Sequence, residues 1–243
     1  MVDQRKEIRK LAKRRKNFYD EDINKIPSQI TEDDPFFGWH LDQYQLDFVN
    51  AMLNPENIAV FCNAKSGSGK TSLAVATAKI LVKGGRFDNA IYCVSPTQEE
   101  RLGYLPGDIT EKTEVYFQPL YQALEQIGEN PLLINDPKQG FWIQPTTHLY
   151  MRGMNIEKTV LILDECQNFF LDDCKKVFTR VHDDCLVIVI GHTGQNDLYK
   201  NKSHSGFAPY IEHFRNEPYI QICELKNNYR GKFSQKADEL ELN

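Results

Sequence analysis

Short, continuous apolar runs recur along the chain, separated by longer stretches whose apolar positions return every three or four residues. The runs at 58–62, 90–94, 141–143, 160–163, 186–190 and 219–223 read as buried strands. The stretches at 41–53, 71–81, 117–127, 171–182 and 206–215 carry helical spacing, and Gly103 with Pro106-Gly107 marks turns before the third of them. Apolar strands that alternate with helices predict a parallel sheet covered on both faces, an α/β architecture. Ligands of such a sheet lie at the carboxyl ends of the strands.

The N-terminal part follows a different pattern. Residues 3–19 read as a basic helix with Ile8, Leu11, Ala12 and Phe18 on one side, and Pro27, Ser28 and Asp33-Asp34-Pro35 mark a linker. This divides the chain into a basic arm and linker at 1–36 and one domain at 37–243. With 41% apolar residues in 243, that domain can bury a substantial core. No apolar stretch is long enough to span a membrane, and the N-terminus has no apolar signal core, so a soluble cytoplasmic protein is expected. The six cysteines form no C-x-x-C pair and several fall inside apolar runs, which suits reduced, buried thiols.

Charge is unevenly spread. Residues 1–16 carry eight Lys or Arg against Asp3 and Glu7, so a chain of net charge −5 has an acidic body of about −11. A broad nucleic-acid-coating surface is therefore not expected, and polyanion binding must use a local groove or the basic arm. The arm also suits a plain solvated helix.

Two motifs carry chemistry. Residues 64–71 read Ala64-Lys65-Ser66-Gly67-Ser68-Gly69-Lys70-Thr71, the Walker A pattern G-x-x-x-x-G-K-[ST] with alanine in the first glycine's place, and Ser72 follows. Such a loop turns successive backbone N–H groups around a phosphate, and the next helix aims its positive end at the same anion. Lys70 would reach the β- and γ-phosphates and Thr71 would ligate Mg²⁺. The apolar run 160–163 ends in Asp164-Glu165, a Walker B pair in which Asp164 would hold Mg²⁺ and Glu165 would activate water. An ATP–Mg²⁺ site is expected, and a water-activating Glu speaks for a hydrolase rather than a small-molecule kinase.

Asp164-Glu165-Cys166-Gln167-Asn168 is close to the D-E-A-Q-N of the PhoH-like ATPases. The segment 101–108 (Arg-Leu-Gly-Tyr-Leu-Pro-Gly-Asp) resembles that family's K-L-G-F-L-P-G-D. Pro119-Leu120-Tyr121, Tyr150-Met151-Arg152-Gly153, Phe178-Thr179-Arg180 and Lys202-Ser203-His204-Ser205-Gly206 add further similar strings across residues 40–230. Small stand-alone members of this kind resemble those of bacteriophages, which would place the protein in a host cytoplasm.

The family in turn resembles the first motor domain of superfamily 1 helicases, which implies a RecA-like P-loop NTPase sheet and further roles. Leu41-Asp42-Gln43-Tyr44-Gln45 is similar to the helicase L-N-x-x-Q, making Gln45 a reader of the adenine edge. Gly191-His192-Thr193-Gly194-Gln195 stands where the family has G-D-x-T-Q, with Gln195 sensing the γ-phosphate and His192 replacing an Asp. Leu225-Lys226-Asn227-Asn228-Tyr229-Arg230 resembles L-x-x-N-Y-R, so that Tyr229 would stack near the base and Arg230 would stabilise the transferring phosphoryl group.

The resemblance implies homo-oligomers, hexameric rings included, and no second motor lobe is expected in a chain of this length. Residues 1–40 lack a nuclease's length and acidic cluster, so no intrinsic ribonuclease activity is expected. Coupling to single-stranded RNA or DNA is the leading expectation, a switch acting on a protein partner the alternative. Strand contacts fall to Ser95-Pro96-Thr97 and to Thr147-His148-Leu149-Tyr150-Met151-Arg152. The second segment equally suits a packed loop with one exposed Arg.

Overall fold

A computed structural model describes residues 26–96, 114–135, 141–194 and 204–238. The expected basic helix at 3–19, the family-like segment 101–108, and Thr97 and Gln195 lie outside them. Six strands, β1 (Ala59–Ala64), β2 (Asn89–Val94), β3 (Ile143–Thr147), β4 (Thr159–Leu163), β5 (Leu186–Gly191) and β6 (Ile220–Leu225), form one sheet in the order β3-β2-β4-β5-β1-β6. Every pairing is parallel.

The strand period of two sorts side chains onto two cores. Val60, Cys62 and Ala64 of β1 join Val160 and Ile162 of β4 on one face. Helices α1 (Gln43–Leu53), α2 (Lys70–Lys83) and α3 (Gln118–Gln126) cover that face through Phe48, Met52, Leu73, Ile80, Leu120 and Leu124. Phe61, Leu161, Leu163, Val187 and Val189 face the other way, under α4 (Leu171–Phe178) and α5 (Phe207–Phe214). Both faces are covered, which is why the central strands are nearly continuous apolar runs, broken by Asn63 near the end of β1 and Thr159 at the start of β4. Ile30 and Phe36 also lie in the first core, so the described part of the expected linker packs on the domain. All six cysteines are buried.

Three elements depart from the sequence pattern. β3 runs to Thr147 rather than ending at Ile143, because as an edge strand paired only to β2 it tolerates Pro145 and an exposed Gln144. α4 ends at Phe178 instead of continuing to 182. Beyond it the backbone pairs with Ile156, which donates to the Arg180 carbonyl and accepts from the His182 N–H, so tertiary pairing wins over helical spacing. A further helix, α6 (Lys232–Asp238), follows β6 where no apolar period announces it.

Candidate nucleotide-binding site

The P-loop joins β1 to α2. Ala64 is the last residue of β1 and pairs with Leu225, so its backbone is extended and the glycine of the usual pattern is unnecessary there. Gly67 and Gly69 turn the loop with φ of +76° and +84°. Gly69 precedes α2, which places Lys70 and Thr71 in the first helical turn. Lys65 is exposed, Ser66 half-buried, and Ser68 buried with its hydroxyl donating to the Lys65 carbonyl at 2.8 Å.

β4 delivers the carboxylates. Asp164 is fully buried; its Oδ2 accepts from Thr71 Oγ1 at 2.7 Å and from the Tyr92 hydroxyl at 2.6 Å, and its Oδ1 from the Glu165 N–H at 2.8 Å. Burial, then the Glu165 charge, raise the Asp164 pKa against the opposing pull of Lys70, Tyr92 and Thr71. Burial and the same carboxylate push the Tyr92 phenol well up, so it stays a proton donor. Glu165 has φ +50°, a left-handed conformation in a non-glycine residue. Its Oε1 meets Lys70 Nζ at 3.1 Å and its Oε2 accepts from Gln167 Nε2 at 2.5 Å. Lys70, Thr71, Asp164 and Glu165, expected to act together, are thus brought to one point.

Tyr92 and Gln167 received no role from sequence. Tyr92 carried a signal, since a hydroxyl inside a buried apolar strand must find a partner. Gln167 stood in the D-E-C-Q-N string, but its partners are set by β5. From that strand's end, His192 N–H donates to Gln167 Oε1 at 3.0 Å, and Thr193 N–H donates to Asn63 Oδ1 at 3.1 Å.

The segment after β6 lies across the P-loop. Tyr229 N–H donates to the Gly67 carbonyl at 2.9 Å and Arg230 Nη1 to Ser66 Oγ at 2.7 Å. Gln45 is buried, with Nε2 donating to the Ser68 carbonyl at 3.0 Å and Oε1 accepting from the Asp42 N–H at 3.2 Å. Each end of its amide keeps one bonding position. Ser72 Oγ donates to Gln126 Oε1 at 2.6 Å. A cavity of about 380 Å³ beside the loop is lined by Trp39, Leu41, Gln45, Gln126 and Tyr229, a size suited to a nucleobase and ribose. A larger groove of about 900 Å³ along α1 and β6 contains no P-loop residue, so the chemistry selects the smaller one.

The two expected strand-contact segments sit at the carboxyl ends of β2 and β3. Ser95 and Pro96 are half-buried. In the second, Thr147 and Met151 are buried, and the ring of His148 packs 5.5 Å from that of Phe169 and 3.6 Å from the Asp173 carboxylate. Burial foremost lowers the His148 pKa, against the pull of Asp173. Leu149, Tyr150 and Arg152 point to solvent, so the segment is half core, half surface.

A model of the PhoH-like protein family matches residues 40–239. The chain belongs to the PhoH-like family. It is 34% identical over 183 residues to the PhoH-like protein of Bacillus subtilis strain 168, covering 74% of this chain and 56% of that one. To protein PhoH of Escherichia coli K12 it is 31% identical over 186 residues, covering 76% and 52%. This PhoH-like chain therefore spans just over half the length of those relatives. Among solved structures it is similar to the HK97 bacteriophage large terminase, with a TM-score of 0.51 and 16% identity over 82% of this chain and 42% of that one, a likeness of fold alone. Fold and family agree on a P-loop NTPase with a RecA-like parallel sheet. Among the described residues no helix is long and apolar enough to cross a membrane.

Proposed function

We propose that this PhoH-like chain binds ATP with Mg²⁺ and hydrolyses it, and that turnover is coupled to a single strand of RNA or DNA. The observation that carries the reading is the convergence of a P-loop lysine, a helix-start hydroxyl, a buried aspartate and a glutamate on one point. The oxygen pair Thr71 Oγ1 and Asp164 Oδ2 fits a hard divalent cation, whose charge would offset the burial that raises the Asp164 pKa. When bound, Mg²⁺ neutralises charge developing on the β- and γ-phosphate oxygens.

The chain's own groups do the rest. Lys70 and the loop N–H groups hold the phosphates, and Glu165 orients water and accepts its proton. Arg230 would act in cis on the transferring group, a reading supported by its hydrogen bond to Ser66 on the P-loop of its own chain, with an effect worth about 10³–10⁵ in rate where it operates. Gln45, fixed by its two protein contacts, offers adenine one acceptor and one donor, while Tyr229 and Trp39 enclose the base. Gln195 would sense the γ-phosphate, as the likeness of residues 191–195 to the family's G-D-x-T-Q implies. The exposed Tyr150 and Arg152 supply a stacking ring and a cation for a strand. Residues 37–243 would form the ATPase unit, the basic arm would add salt-sensitive strand affinity, and copies of the chain would assemble into an oligomer.

Steady-state ATP hydrolysis with and without single-stranded RNA or DNA tests this, with Glu165→Gln as the blank. Turnover that a strand stimulates, and that the blank lacks, is the expected result. Turnover indifferent to any strand would move the reading to a switch acting on a protein partner. Full turnover in the blank would remove Glu165 as the base.

A further inference from the structure

Gln167 is 3% exposed and has both ends of its amide engaged, Nε2 with Glu165 and Oε1 with the backbone N–H of His192. The amide has only one workable orientation. Turned over, it would set its NH₂ against the His192 N–H and its carbonyl against a carboxylate. Gly191 keeps the bridge closed, because a Cβ there would stand 2.7 Å from Gln167 Oε1 and 3.0 Å from the Phe207 ring. Next along, Thr193 is tied to Asn63 near the end of β1. The contacts close a circuit: from β1 through Asn63 and Thr193 to His192, then Gln167, Glu165 and Lys70, and back to the P-loop.

Lys70 holds Glu165 from one side and Gln167 holds it from the other. A phosphate bound at the loop competes for the Lys70 ammonium, since its oxygens attract that cation as a carboxylate does. As Lys70 turns to it, Gln167 becomes the donor that keeps the Glu165 carboxylate in place. We propose that Gln167 is the positioning residue for Glu165, and that it makes the base's placement follow the turn at residues 191–194. The inference rests on the reading of Glu165 as the base.

The full chain carrying Gln167→Met keeps side-chain length and loses both hydrogen bonds. Its kcat for ATP falls about ten- to a hundredfold, the scale of a displaced catalytic group, while the Kd for ATP–Mg²⁺ stays within about twofold. In a Glu165→Gln background the same change leaves the residual single-turnover rate unaltered, because a residue acting through Glu165 has nothing left to act on. Gln167→Leu also removes both hydrogen bonds without adding a charge beside Glu165, and it shows the same kcat loss if the methionine variant does not fold.

Unchanged kcat in either folded variant overturns the inference. So does a weaker Kd with parallel loss of thermal stability, or an equal fold-loss in both backgrounds, each of which marks a residue that only supports the fold. Wild-type chain that turns over no nucleotide removes the hydrolase reading and this inference with it. Wild-type turnover beside a normal Gln167→Met removes this inference alone.

Discussion

Gly67 stands where two demands meet. Its φ of +76° suits glycine, and a Cβ would lie 2.6 Å from Asn228 Oδ1 and 2.9 Å from Arg230 Cγ. Gly67→Ala is therefore strained in backbone and contact together, at about 1–3 kcal/mol, and it pushes Arg230 off the loop. The expected outcome is ATP affinity lowered tenfold or more with a lower thermal midpoint, read by nucleotide titration and thermal unfolding. Native affinity would refute the closeness of the 227–230 segment to the phosphates. At this scale the sequence was legible where a residue's placement is local. Gly67, Lys70 and Thr71 sit in one loop, and Asp164 ends an apolar run. Tyr92 and Gln167 were not, because each earns its role from a strand elsewhere: Tyr92 meets Asp164 across 72 positions.

Among the elements, α1 depends on one carboxylate. Asp42 caps the helix by accepting from the Gln45 N–H at 2.8 Å, while Gln45 closes a capping box back to Asp42. Its other oxygen accepts from the Tyr229 hydroxyl and from Asn227 Nδ2, each at 2.5 Å. The cap thus fixes both residues assigned to the base. Asp42→Ala costs about 0.5–2 kcal/mol and loosens both, so the ratio of kcat/KM for ATP over GTP should shrink while each nucleotide is still hydrolysed; an unchanged ratio would separate the cap from base recognition. Burial alone would raise the Asp42 pKa, but the bonds from Tyr229, Gln45 and Asn227 outweigh it and the net shift is downward. A depressed carboxyl stabilises the fold above its unfolded pKa, and that contribution is lost as pH falls through the folded value, below the ordinary carboxylate range. Element types were readable for the central strands and their helices, where burial on both sides forces continuous apolar runs. They blurred at β3, at the sheet edge, and at the end of α4, where pairing with Ile156 decides the backbone.

For the whole molecule, the parallel sheet gathers the site from positions 42 to 230, so ligand binding should be felt globally. ATP–Mg²⁺ at about a hundred times its Kd adds about 2.7 kcal/mol, which raises the thermal midpoint of a chain this size by roughly 5–10 °C. Lys70→Ala should abolish the rise, and a persisting shift in that variant would place the nucleotide elsewhere. Strand and helix alternation announced this architecture, but not the order of the strands, since nothing local records which neighbours pair. That order has a consequence for biosynthesis. β1, which carries the P-loop, lies between β5 and β6, and Ala59 pairs with Ile220. At about 5–20 residues per second, the ribosome releases β1 roughly 10–30 s before its last neighbour exists. Through that interval the nascent chain has a phosphate loop whose strand edge is unpaired and whose Tyr229 and Arg230 are not yet made. Nucleotide binding at this loop would therefore wait until residues 220–230 are made, and the half-built sheet is the stage at which a chaperone has most to hold.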